Sequence, residues 1–264
     1  MKLNRLIKYS YPAFVYLFLY FPILIIVVFS FNDTSRSLVW KGFTTQWYTE
    51  LFRDTNLLSV TGHSLIIGVL AATIATAIGT IAAVSLFRYR FWGKKLLHGL
   101  LFVMIVTPEI VMGIALLLLY SALDLPLGFW SLLLAHITLC IPFVTITVYS
   151  RITTLDKAIF EAARDLGATD FTIFSKIIIP LLSPSIIAGW LLSFTLSLDD
   201  VITSYFVSGP SFSILPLKVY AMVRLGIKPE INALCTLLLI LTLLIVISAQ
   251  FALYKNSGKK HAKK

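Results

Sequence analysis

Three carboxylates interrupt long apolar stretches of this 264-residue sequence. Glu109 follows Pro108 in one stretch, and Asp199 and Asp200 stand side by side in another. An ionised side chain is costly in the hydrocarbon interior of a membrane, so acidic residues there usually face the interior of a helix bundle, a partner or water. Neither stretch contains a lysine or an arginine. Clustered carboxylates without such partners favour the binding of a cation.

Hydroxyl side chains extend the polar character around the aspartate pair. On a continuous helix, two neighbouring polar stripes would form, one of Ser193, Ser197, Asp200 and Ser204 and one of Thr195, Asp199 and Thr203. A membrane helix that is polar on one side is expected to line a wet path. In the alternative interpretation, the two aspartates only cap the outer end of a shorter helix or pair with Lys218 or Arg224. For Glu109, the alternative is a structural hydrogen bond to a neighbouring helix.

The composition excludes a water-soluble protein. Hydrophobic residues make up 58% of the chain and charged residues 13%, against about 45–50% and about 25% in soluble domains. The mean hydropathy is +0.92. A soluble enzyme or nucleic-acid-binding domain of this size could not bury so much apolar surface, and intrinsic disorder requires low hydrophobicity. The composition therefore predicts a polytopic membrane protein.

Six apolar stretches are long enough to cross a membrane, since about 20 residues span a hydrocarbon core of roughly 30 Å. They cover approximately residues 12–31, 64–86, 96–123, 129–149, 184–207 and 231–253. The sequence thus predicts one all-α transmembrane domain over residues 1–264. The first stretch is interpreted as an uncleaved helix, because residues 32–35 follow it without a small-x-small cleavage site.

The basic residues predict the orientation of the spans. Most lysines and arginines lie in the N-terminal segment, in the second and fourth loops and in the C-terminal tail, which would all share one side. The opposite side carries fewer, namely Arg36, Lys41, Arg53, Lys218, Arg224 and Lys228. Both termini are therefore predicted to be cytoplasmic. The same distribution accounts for most of the net charge of +10 without a polyanionic ligand.

This orientation lets the depth of the acids be estimated. At about 1.5 Å per residue of straight helix, Glu109 and the pair Asp199–Asp200 fall in one layer in the outer half of the membrane. Pro108 lacks an N–H, which weakens the helix beside Glu109 and would allow a kink that widens a path.

The predicted cytoplasmic loop 150–183 has the sequence of a helix, a turn and a second helix. Good helix formers cover 156–166, and Gly167 stands where a left-handed C-cap is expected. A second helix is predicted over 170–176, before Pro180 breaks the path into the membrane. Such an element would present a short, rigid surface to a partner.

This loop resembles the EAA motif of ABC importer permeases. The matching residues are Glu161, Ala162, Ala163, Gly167, Ile177 and Pro180, and Ile179 stands where the motif has leucine. The resemblance implies a type I ABC importer permease fold, in which this loop docks into a groove of a cytoplasmic ATPase subunit. Glu161 and Asp170 would be charged anchors, and the alanines would permit close helix approach. The alternative is an ordinary amphipathic surface helix.

The sequence contains no G-x-x-x-x-G-K-[ST] phosphate-binding loop. The segment Gly93, Lys94, Lys95 lacks both the Ser or Thr and the upstream glycine. Hydrolysis of ATP, with its Mg²⁺, is therefore expected in a partner chain, and no cofactor is expected in this one. His63 and His136 lack partners at metal-ligand spacing and are interpreted as helix-end or packing residues. With no nucleophilic constellation either, an enzyme is not expected.

Other segments resemble the polyamine-importer permeases, specifically the second permease subunit of bacterial spermidine/putrescine importers. They are GFTTQWY at 42–48, RYRF at 88–91, FTLSLDD at 194–200, GPS at 209–211 and ILPL at 214–217. The resemblance implies a heterodimer with a second homologous permease subunit in the bacterial inner membrane. It also implies an ATPase dimer on the cytoplasmic face and a periplasmic polyamine-binding protein.

A polyamine fits the chemistry of the sequence, because an elongated polycation needs spaced carboxylates and can add cation–π contacts. Trp47 is nominated for such a contact, with an interfacial anchor as the alternative. The candidate substrate pathway is Trp47, Glu109, Ser197, Asp199 and Asp200. Two other functions remain compatible with the sequence: a secondary transporter or channel for an organic cation, and an ABC permease for another substrate. The acids argue against anions.

Overall fold

A computed structural model of the protein describes residues 2–34, 39–210, 212–225 and 229–261. Four residues used in the predictions above, Ser35, Arg36, Ser211 and Lys228, lie outside these ranges, as do the last three of the tail. The described residues form helices joined by turns and loops, with an isolated antiparallel bridge between Asn32 and Phe43 and no strand. The prediction of an all-α fold is thus confirmed.

The helices in the described ranges differ in length from about one turn to more than thirty residues. They are α1 (Lys2–Phe29), α2 (Gln46–Arg53), α3 (Thr55–Arg88), α4 (Lys94–Val106), α5 (Glu109–Ala122), α6 (Phe129–Ile152), α7 (Ala158–Asp165), α8 (Asp170–Ile173), α9 (Ile179–Asp199), α10 (Ile202–Val207), α11 (Leu215–Leu225) and α12 (Pro229–His261), with a π-helical turn, Phe174–Ile178, before α9. Five helical segments of the described chain are long and apolar enough to cross a membrane, and six if the bent pair α4–α5 is one span.

The chain divides into two compact units. The first comprises Met1–Ser59 and Val219–Ala252, and the second comprises Val60–Lys218 and Leu253–Lys264. In the first unit, Asn32 organises the loop that follows α1. Its side-chain nitrogen donates to the Val39 carbonyl at 2.8 Å, and its side-chain oxygen accepts from the Lys41 N–H at 2.9 Å. These bonds fix the chain between α1 and α2.

In the second unit, α6 is the central helix. One apolar cluster joins α6 to α3, α5 and α10, and another joins α6 to α3, α7, α8 and α9. Helix α3 approaches α6 through small residues: Ala75 and Ala83 are fully buried, and a Cβ on Gly79 would lie 2.8 Å from the Val144 side chain. Such close approach through small residues is typical of packing between membrane helices.

The predicted span over 96–123 is two helices joined by a sharp bend, at the proline where the sequence predicts a kink. The helix breaks at Thr107–Pro108, and α4 and α5 meet at an angle of 114°. Pro108 has no N–H to donate, and the residue before a proline avoids the helical conformation, as the extended ψ of 127° at Thr107 shows. The kink is therefore larger than the sequence indicates, and a depth for Glu109 counted along a straight helix is not valid.

The predicted fifth span, 184–207, is also different in two ways. Pro180 does not interrupt the helical segment, because it lies in the first turn of α9, directly after the π-helical turn. This segment runs from Asp170 to Asp199. A π-helical turn changes the backbone pairing just before the proline, where its ring would clash with a regular helix. At the other end, α9 stops at Asp199, and a short break separates it from α10.

The loop between α6 and α9 follows the prediction. The Asp156 carboxylate accepts the Ala158 N–H at 2.9 Å at the start of α7. Gly167 has φ of +81°, a left-handed conformation that side chains disfavour, so the chain can turn there. The Thr169 hydroxyl then accepts the Thr172 N–H and caps α8. We call α7, the Gly167 turn and α8 the docking loop.

Candidate functional site

Asp200 is buried at the break between α9 and α10, where it holds the start of α10. One carboxylate oxygen accepts the Ser204 hydroxyl at 2.6 Å and the Ser204 N–H at 2.8 Å, and the other accepts the Thr203 N–H at 3.2 Å. Only 4% of Asp200 is exposed. These bonds satisfy N–H groups that a helix terminus otherwise leaves unpaired. Asp200 is therefore a cap, although the helix that it caps is the following one.

His136, from the middle of α6, completes this buried network. Its Nδ1 lies 2.6 Å from the Ser197 hydroxyl and its Nε2 lies 2.9 Å from the Ser204 hydroxyl. Nε2 is also 3.5 Å from the Asp200 carboxylate. With no exposed surface, the imidazole links α9 and α10 across the break. The sequence predicts only a helix-end or packing role for His136. The available sign of a polar contact was a histidine on one apolar helix and a polar stripe on another.

The stripe of Ser193, Ser197, Asp200 and Ser204 consequently has a different role from the one predicted. All four residues are buried, and Ser197 and Ser204 bond to His136. The stripe faces α6, not an open path. The Ser193 hydroxyl has no hydrogen-bond partner among the described residues.

Asp199 and Glu109 differ from Asp200 because both are exposed in this chain. Glu109 begins α5 and lies within electrostatic range of Asp199 and Asp200. Helix α5 approaches α10 very closely, since a Cβ on Gly113 would lie 2.7 Å from the Phe206 ring. Neither aspartate forms an ion pair with a lysine or arginine in the described part of the chain.

The remaining candidate of the pathway, Trp47, belongs to the first unit, whereas Glu109, Ser197, Asp199 and Asp200 belong to the second. The indole N–H of Trp47 donates to the Asn32 carbonyl at 2.7 Å. This bond fixes the ring at the start of α2. No three His, Cys, Asp or Glu side chains within the described ranges come together as a metal site.

In the docking loop, the motif residues divide into an inner and an outer set. Ala163 is buried in the second apolar cluster, so its small side chain lets α7 pack closely within this chain. Glu161, Ala162 and Gly167 are exposed, and Glu161 forms no ion pair with another described residue. These three residues are available to a partner.

The docking loop also exposes two apolar residues that were not among the predicted site residues. Leu166 is 88% exposed and Phe171 is 77% exposed, on either side of Gly167. Large apolar side chains in contact with water beside a rigid turn are typical of a protein interaction site. The sequence does show an apolar residue before and after the glycine, but the motif does not specify these two positions.

Asp170 bonds within the chain. Its carboxylate pairs with Arg88, the last residue of α3, and lies 3.8 Å from the Arg164 guanidinium. The docking loop is therefore tied by an ion pair to a membrane helix. If Asp170 also anchors another subunit, as the resemblance implies, that subunit and Arg88 would both contact its carboxylate.

Several known proteins are similar to this chain. The model of the family "binding-protein-dependent transport system inner membrane component" matches residues 75–259. The spermidine/putrescine transport system permease protein PotC of Escherichia coli K12 is 52% identical over 94% of both chains. The putrescine transport system permease protein PotI of the same organism is 46% identical, over 84% of this chain and 82% of that protein.

Among solved structures, a bacterial ABC transporter involved in the import of the acidic polysaccharide alginate matches with a TM-score of 0.73 and 15% identity. The match covers 96% of this chain and 98% of that one. At this identity the likeness concerns the fold alone, which is that of an ABC importer permease.

Proposed function

Since the chain belongs to the family of binding-protein-dependent transport system inner membrane components, we propose that it is a permease subunit of an ATP-driven importer for polyamines such as spermidine and putrescine. As a member of that family, it is a multi-pass protein of the bacterial inner membrane. The observation that carries the proposed substrate class is the identity with PotC over nearly the whole of both chains. PotI, named for putrescine, supports the same class.

The exposed carboxylates Glu109 and Asp199 are the proposed contacts for the amines. Each lies in an apolar helical segment and is exposed in this chain, a position that is unfavourable against lipid. We therefore expect both to face a path formed with a second, homologous permease subunit. Asp200, Ser197 and His136 would act indirectly, by fixing the break that ends α9 beside Asp199. Trp47 stays a candidate for a cation–π contact in the path.

The docking loop is the proposed contact with an ATPase dimer on the cytoplasmic face. Leu166 and Phe171 would be buried in a groove of that subunit, and Glu161 would supply a charged contact. The pair Arg88–Asp170 would transmit movement of the loop to α3. ATP and Mg²⁺ would be used by the ATPase, both termini of the permease would be cytoplasmic, and a periplasmic polyamine-binding protein would deliver the substrate.

The test of the proposed pathway is spermidine uptake by vesicles that contain the complete importer. We predict that Asp199→Asn and Glu109→Gln each lower uptake by at least tenfold, while assembly and thermal stability of the complex stay unchanged because neither residue is buried in the chain. The matched control is Asp124→Asn, which removes the same charge from another exposed aspartate outside the candidate pathway and should leave uptake unchanged. Wild-type uptake by the double variant of Asp199 and Glu109 would contradict the assignment.

A further inference from the structure

The loop between α3 and α4 and the end of α6 enclose an open cavity of about 730 Å³ in the second unit. The residues that line it include three cationic ones, Arg90, Lys94 and Lys95, and the aromatic residues Trp92, His98 and Tyr149. The His98 and Tyr149 rings meet edge to face at 5.5 Å, which joins α4 to α6 at the inner wall. This cavity is separate from the acids and from the docking loop.

The charge of this cavity is not neutralised by the part of the chain that the structure describes. No acidic residue lines it, and Arg90 and Lys95 form no ion pair with the described residues. Lys94 donates to the Tyr89 carbonyl at 3.2 Å, which leaves two of its three N–H groups available. Arg88, just outside the cavity, is by contrast paired with Asp170. Unpaired cations converging on one cavity are complementary to a phosphate group.

The surroundings of the cavity favour a lipid over a soluble anion. Trp92 is 99% exposed beside the cations, and tryptophan is enriched where a membrane meets water. Helix α4 starts at the cavity and exposes Leu96, Leu100 and Val103, which form one row at i, i+4 and i+7. A ligand held here would thus have cations at one end and an apolar wall below it. A soluble phosphate needs no such wall.

We propose that this cavity binds the phosphate of an anionic phospholipid, with the acyl chains lying along α4. Basic cavities between membrane helices are suited to such headgroups. The assignment of this lipid to the cytoplasmic leaflet rests on the proposed function, in which the α3–α4 loop lies on the same side of the membrane as the docking loop. Arg90 stands two residues after Arg88, so the bound lipid holds the segment that also fixes the docking loop.

The test measures quenching of Trp92 by brominated lipids in the purified importer complex in detergent. Brominated phosphatidylglycerol is titrated against brominated phosphatidylcholine, and the Trp92→Phe variant identifies the signal of Trp92. We expect half-quenching at a concentration on the order of tenfold lower for the anionic lipid. Arg90→Gln with Lys95→Gln should remove this preference, since each cation contributes about fivefold and the pair about 30-fold.

Two variants serve as controls. The pair Lys259→Gln with Lys260→Gln removes two charges from the tail and should leave the preference intact. The pair Arg90→Lys with Lys95→Arg keeps the charge and should keep the preference. Equal quenching by both lipids would overturn the proposal, as would no quenching of Trp92, which would mean that another subunit covers the cavity. Displacement of the lipid by millimolar inorganic phosphate would instead indicate a soluble-anion site. Spermidine uptake by the same preparations tests the proposed function separately.

Discussion

Two buried serines on α9 provide a matched comparison for the network that holds the helix break. The Ser197 hydroxyl bonds to His136 Nδ1 at 2.6 Å, whereas the Ser193 hydroxyl, one turn earlier, is buried without a partner among the described residues. We predict that Ser197→Ala destabilises the permease and that Ser193→Ala does not. The two substitutions remove the same hydroxyl group from the same helix, so the changes in helix propensity and in side-chain volume cancel in the comparison.

The magnitude follows from what Ser197→Ala leaves behind. A ring nitrogen of the fully buried His136 would lose its partner, and an unpaired buried polar group costs about 1–3 kcal/mol. Hydrogen bonds between membrane helices average ~0.6 kcal/mol and reach ~1.7 kcal/mol. Since this bond is short and completely buried, we expect a loss of about 1.5 kcal/mol in the free energy of unfolding. For Ser193→Ala we expect no loss or a small gain.

The assay is equilibrium unfolding of the purified complex in mixed micelles with increasing dodecyl sulfate. Loss of the far-ultraviolet circular dichroism reports unfolding, because most of the described chain is helical. A double-mutant cycle with His136→Asn should give an interaction energy for Ser197 and none for Ser193. Equal destabilisation by both serine variants, or none by Ser197→Ala, would refute the network as described.

Three further predictions concern the docking loop. Gly167→Ala should lower spermidine-stimulated ATP hydrolysis up to tenfold, because φ of +81° costs a side chain about 1–2 kcal/mol; Gly99→Ala, in open space on a helix, should leave it unchanged. Leu166→Ser should weaken ATPase binding in a pull-down titration about tenfold or more without altering permease stability, as burial of a leucine contributes about 1.5–3 kcal/mol. Arg88→Asp should uncouple ATP hydrolysis from uptake, and adding Asp170→Arg should restore part of the coupling.

The sequence predicts best those features that depend on neighbouring residues. The Gly167 turn and the start of the second helix at Asp170 need only local backbone chemistry, and both occur where expected. At Pro108 the missing N–H predicts a kink, but the angle of 114° depends on packing elsewhere, where Gly113 lets α5 lie against the Phe206 ring. Long-range packing of this kind leaves no local pattern.

The roles of the intramembrane acids required the three-dimensional structure for a similar reason. The two neighbouring stripes drawn on a continuous helix give Asp199 and Asp200 the same role, the lining of a wet path. Helix α9 ends at Asp199, and in the break that follows Asp200 is buried and bonds to Ser204 while Asp199 stays exposed. The position of His136 could indicate a polar partner, but only its contact across α9 and α10 identifies which residues it joins.

The most direct test of the proposed function is uptake of labelled spermidine into vesicles by defined sets of subunits. Permease pair, ATPase and binding protein together should accumulate spermidine only when ATP and Mg²⁺ are present on the side of the docking loop. This chain alone should give no flux, even with a spermidine gradient or a membrane potential. Gradient-driven spermidine flux through this chain in the absence of any ATPase would contradict the account and identify a secondary transporter or channel instead.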